Sequence, residues 1–135
     1  MTIDASLTLP WADGDHTFRL AIGELRQLQE KLDAGPVEIF DRLMNRGWRL
    51  DDIRETIRLG LIGGGRSPAE AARLVRDYID GRPLIENVET AQQIIAAAMI
   101  GPPDEPSTGK TQPEQAQTEA RSVSSSPASM EQAPL

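Results

Sequence analysis

The stretch GLIGGGRSPAEAA, Gly60 to Ala72, decides the fold. Three consecutive glycines run into a helix start, the way many phosphate-binding loops are built. A P-loop needs a strand ahead of the glycines, a lysine at a fixed offset, and Ser or Thr after it. No lysine occurs between Gly60 and Ile79, and a helical stripe precedes the glycines instead of a strand. A dinucleotide fingerprint fails for want of the same buried strand. The residues after the glycines have a plainer logic. Ser67 suits a helix N-cap, and Pro68 suits the first helical position, where a missing N–H costs nothing. Glu70 at the third position completes a capping box. Gly60, Gly63, Gly64 and Gly65, with Ser67, Pro68 and Glu70, are expected to form a structural corner between two helices. The glycines there would reverse the chain through positive φ and leave Leu61 and Ile62 beside an open corner. No cofactor is expected at it.

Outward from the corner, the chain reads as helix in both directions, with a period near 3.6. Upstream, Ile22, Leu25, Leu28 and Leu32 form one stripe, which Gly35-Pro36 stops. Val37, Ile39, Phe40, Leu43 and Met44 form a second, up to Asn45-Arg46-Gly47. Leu50, Ile53, Ile57 and Leu61 form a third, with Asp51 or Asp52 expected as its N-cap. Downstream, Ala71, Leu74, Val75, Tyr78 and Ile79 make a fourth stripe, ended by Gly81 and Pro83. Leu84, Val88, Ala91, Ile95 and Ala98 make a fifth, ended at Gly101. The N-terminus alternates instead: Ile3, Ala5, Leu7 and Leu9 share one face, and His16, Phe18 and Leu20 share another beyond an Asp13-Gly14 turn signal. The spacing predicts a mainly α member of the α+β class. An N-terminal β-hairpin precedes a small bundle of about five short helices within residues 1–101.

After Gly101 the composition changes. Residues 102–135 are rich in Pro, Ser, Gln and Glu, with only Val123, Met130 and Leu135 as sizeable apolar side chains. Such a segment cannot bury enough surface to offset its ordering entropy, so a disordered tail is expected. The chain has no cysteine, which excludes thiolate chemistry and a disulfide framework. Its start carries no basic, apolar leader pattern. The longest apolar run, Ile94 to Ile100, is far shorter than the roughly 18 residues a membrane span needs. A cytoplasmic, soluble protein without membrane contact is expected.

Chemistry finds little footing in the sequence. His16 is the one histidine, on the apolar face of a strand, and reads as a packed strand residue. Asp51 and Asp52, adjacent on a helix, do not face each other as a catalytic pair would. Arg73–Asp77 and Arg76–Asp80 read as ion pairs on a solvated face. No catalytic or metal-binding residue is expected, and no enzyme. Residues 41–66 carry Arg42, Arg46, Arg49, Arg54, Arg58 and Arg66 against four carboxylates, so a small helix-turn-helix DNA-binding regulator is one reading. The two aspartates at the start of its supposed recognition helix oppose it, as does the net charge of −7. Partner binding is the stronger reading. AQQIIAAAMIG is apolar nearly all round, and Leu59 and Ile62 lie off the main stripe of their helix. Trp48, Leu59, Leu61, Ile62, Ile94, Ile95 and Met99 are the candidate partner contacts, and self-association is one use of such a surface.

Three segments carry a resemblance. They are FRLAIGELRQLQEKLDAGPVEIFDRL, GWRLDDIRETIRLGLIGGGRSPAEAARLV and YIDGRPLIENVETAQQIIAAAMIG. In this order they closely resemble a family of the gene transfer agent cluster of alphaproteobacteria, over about residues 16–101. The family is sometimes labelled phage tail tube protein and is grouped with the phage tail assembly chaperones. The resemblance implies a non-enzymatic role in tail morphogenesis, with the tape measure protein and the tail tube protein of the same particle as partners. A structural tail tube component is the alternative it leaves open.

Overall fold

The computed structural model describes residues 4–102. Two antiparallel strands, β1 (Leu7–Trp11) and β2 (Gly14–Phe18), precede five α-helices among the described residues. These are α1 (Ile22–Leu32), α2 (Pro36–Met44), α3 (Leu50–Gly63), α4 (Pro68–Val75) and α5 (Val88–Ile100). A π-helical turn, Arg76–Asp80, continues α4, and a 3-10 turn, Leu84–Asn87, leads into α5. The expected hairpin and helical bundle are both present. The expected tail lies outside the described residues apart from Pro102.

The central element is α3, which packs against β2, α1, α2, α4 and α5. Its sequence explains this. Ile53, Ile57 and Leu61 point one way and Leu59 another, and all four are buried. A helix apolar on more than one side must be enclosed, and here the domain's own helices enclose it. Helix α5 is similarly placed, touching α2, α3 and β1, so Ala91, Ile94, Ile95 and Ala97 are all inside.

The hairpin pairs Leu7 with Phe18, Leu9 with His16 and Trp11 with Gly14. One face of it is core: Trp11, His16 and Phe18 are buried, followed by Leu20. Strand β1 is shorter than its alternation predicts, because Ala5 has a φ of 72° and breaks the extended run. The turn residues are Ala12 and Asp13, not Asp13 and Gly14, and the left-handed one is Ala12, with φ 58°.

Helix ends show the same displacement. The end of α1 turns on Asp33 (φ 52°), while Gly35 serves as the N-cap of α2. After α2, Arg46 takes φ 62° and Gly47 does not take a positive φ. Helix α3 starts one residue before Asp51, with Arg49 at the N-cap. The two aspartates therefore lie inside the helix. Asp52, at the third position, accepts the Arg49 backbone N–H at 2.8 Å from there, half of a capping box.

Candidate functional site

The glycine corner is built for close approach more than for reversal through positive φ. Gly60 and Gly63 are still helical, Gly64 follows the last turn of α3, and only Gly65 takes a positive φ, 117°. The other glycines are required by proximity. A Cβ on Gly63 would overlap the carbonyl oxygen of Arg19, and one on Gly64 would overlap that of Thr17. A Cβ on Gly60 would lie 3.2 Å from Ile94 Cγ2 and 3.3 Å from Phe18 Cδ1. The carbonyl of Gly60 in turn accepts the Arg19 N–H at 2.9 Å. The corner is thus not open to a partner, because the outer edge of β2 is seated in it. Ser67 caps α4 as expected, its Oγ accepting the Glu70 N–H at 3.1 Å, with Pro68 at the first position. The expected capping box is only half formed, because the carboxylate of Glu70 pairs with Arg66 at 3.3 Å instead of reaching back to the Ser67 N–H.

A polar chain fastens the hairpin from its other side. Arg66 donates to His16 Nδ1 at 3.1 Å, which leaves the ring proton on Nε2 to donate to Asp13 at 2.8 Å. This hydrogen bond from His16 holds the Asp13 carboxyl below its ordinary range. Trp11 stacks edge-on against His16, Phe18 and Tyr78, with centroids 5.4, 5.8 and 6.0 Å away. Its indole N–H donates to Asn87 Oδ1 at 2.7 Å, and the Asn87 amide donates to the Tyr78 carbonyl. The pairing of Trp11 with Asn87 is not legible in the sequence, because a contact across 76 positions leaves no local pattern.

Of the candidate partner contacts, Leu59, Leu61, Ile94 and Ile95 are corrected: each is buried, at most 1% exposed, between elements of the same domain. Trp48, Ile62 and Met99 are half-buried against the core and retain outward surface. The large apolar side chains that do face outward are Ile22, Val37, Met44, Leu50, Ile85 and Ile100. Most of these lie at helix starts and ends, where helical periodicity alone assigns them to the core.

Charge is largely spent internally. Arg42 reaches the fully buried Asp52 at 3.1 Å and Glu38 at 3.2 Å. Arg54 grips Asp80 through two bonds, and Arg58 pairs with Glu55 at 2.7 Å. Asp80 is therefore taken by Arg54, and Arg76 lies nearer Asp77, unlike the expected Arg76–Asp80 pair. With Arg66, four of the six guanidiniums in the supposed DNA-binding segment are committed to carboxylates. Among the described residues, no cluster of three or more potential metal ligands occurs, and no helix is long and apolar enough to cross a membrane.

No curated protein and no solved structure matches this chain. One family model does match, over residues 4–101, which takes in the hairpin, the glycine seat and all five helices. The chain belongs to the family described as phage tail tube protein, GTA-gp10, a protein of the gene transfer agent tail cluster.

Proposed function

We propose that this protein is a tail assembly chaperone of a phage-like particle, acting without enzymatic chemistry in the bacterial cytoplasm. In this reading it binds the tape measure protein and assists assembly of the tail tube. The observation that carries the proposal is the state of the hairpin's edges. Tube subunits close into rings through extended β-sheet, and such closure needs free strand edges. The outer edge of β2 is taken by α3, where Arg19 donates to Gly60 and the Thr17 and Arg19 carbonyls abut Gly64 and Gly63. On β1, Pro10 has the same register parity as Thr8, so its missing N–H falls on the outer edge. The one sheet of the described residues is therefore poorly suited to growth from either side. Half-buried Trp48, Ile62 and Met99 remain available for a helical partner.

Co-expression with the tape measure protein of the same cluster tests this. The chaperone should raise its soluble yield and co-purify with it. No gain in solubility and no co-purification would refute the proposal. The second reading, a structural component of the tail tube, is favoured by the wording of the family description.

A further inference from the structure

We propose that the corner between α2 and α3, Met44 to Leu50, docks an acidic amphipathic helix of a partner protein. Arg46 and Arg49 are exposed, and neither guanidinium meets a carboxylate among the described residues. Between them stands Trp48, half-buried, flanked by Met44 and Leu50 at 52% and 49% exposure. Arg, Trp and Met are residue types enriched at interface centres, and Arg and Trp dominate hot spots.

Backbone strain marks the same place. Arg46 occupies the left-handed region, at φ 62°, while the adjacent Gly47 has space for a side chain and no positive φ. Exchanging the two residue types would relieve local strain at the first position without creating a clash at the second. Ala5, Ala12 and Asp33 also take a positive φ, so the conformation alone assigns no role to the Arg46 side chain; its exposure and charge do. The corner is also rigid. Buried Asp52 holds the Arg42 guanidinium of α2 through one oxygen and the Arg49 backbone N–H through the other. A preorganised site loses less entropy on binding.

The charge pattern selects the partner. Two guanidiniums without a carboxylate partner among the described residues, placed either side of Trp48 in the sequence, match carboxylates flanking Leu or Ile on one helix face. Asp41 is the exposed carboxylate beside them, and Asp51 is engaged by Arg54 at 3.6 Å. A polyphosphate ligand would meet the field of a chain with net charge −7. The inference concerns the surface alone and stands whichever tail protein supplies the helix.

The test is an NMR titration of the full chain with a synthetic amphipathic peptide of about 18 residues, with Glu and Leu on one face. Perturbations should centre on Met44 to Leu50 and the Trp48 indole N–H. The same peptide with Gln in place of Glu should bind at least about tenfold more weakly, as should the Arg46→Glu/Arg49→Glu variant. Arg46→Gly should raise stability yet weaken binding, which a purely structural role for Arg46 would not produce. Absent perturbations, perturbations elsewhere, or equal binding of the Gln peptide would overturn the proposal. So would duplex DNA shifting the same residues where the peptide does not.

Discussion

Gly63 lies so close to the Arg19 carbonyl that no side chain can stand between them. The glycine run is thereby tied to the hairpin, and the tie has consequences for stability. Gly63→Ala forces a methyl group into the Arg19 carbonyl, just past β2, and Gly64→Ala forces one into the Thr17 carbonyl of β2. Each should cost about 3 kcal/mol or more, the upper range for overpacking, because backbone cannot move as a flexible side chain can. Gly65→Ala meets open space but keeps a φ of 117°. Its cost should be smaller, about 1–2 kcal/mol. Urea denaturation of the three variants ranks them.

Arg46 and Gly47 give the opposite sign. Arg46→Gly should stabilise the fold by about 0.5–1 kcal/mol, because relief of left-handed strain outweighs added unfolded-state entropy. Gly47→Ala should also be neutral to stabilising, since its Cβ would meet nothing closer than Arg42 Cα at 4.0 Å. Thermal melting checks both.

The Trp11–Asn87 bond joins the hairpin to the start of α5. Asn87→Ala would leave a buried indole N–H and the Tyr78 carbonyl without their partner. A loss of about 1–3 kcal/mol is expected. Trp11 fluorescence should shift with it, while the Trp48 indole signal in NMR should stay where it is.

Acid should loosen the hairpin turn. Asp13 has a folded pKa below its ordinary 3.8, first because His16 donates to its carboxylate. Its contribution is therefore fully present above the ordinary pKa and lost as pH falls through the lower, folded value. Asp4 behaves alike through its bonds from Ser6. The stability difference between the wild type and Asp13→Asn should narrow as pH drops below about 4, as followed by denaturation at stepped pH.

Much of this architecture is legible in the sequence. The alternation of His16, Phe18 and Leu20, the Ser67-Pro68 helix start and the stripe of Ile53, Ile57 and Leu61 are local patterns, and local sterics and burial enforce them. The role of the glycines is not legible in the same way. Glycine permits both positive φ and close approach, and only the tertiary fold shows that Gly63 and Gly64 serve the second. Ile94 and Leu59 turn inward instead of toward a partner for a related reason. An all-round apolar helix signals enclosure without saying whether its own chain or another encloses it, and here β2, α1, α2, α4 and α5 do so around α3. Arg46 and Arg49 stand out only once the neighbouring arginines have found carboxylates.

The chaperone proposal is tested most directly by quantitative mass spectrometry of purified particles. An assembly chaperone should be absent, or present far below the copy number of the tube subunit. Stoichiometric recovery with the tube would contradict the proposal and establish the protein as a structural part of the tail.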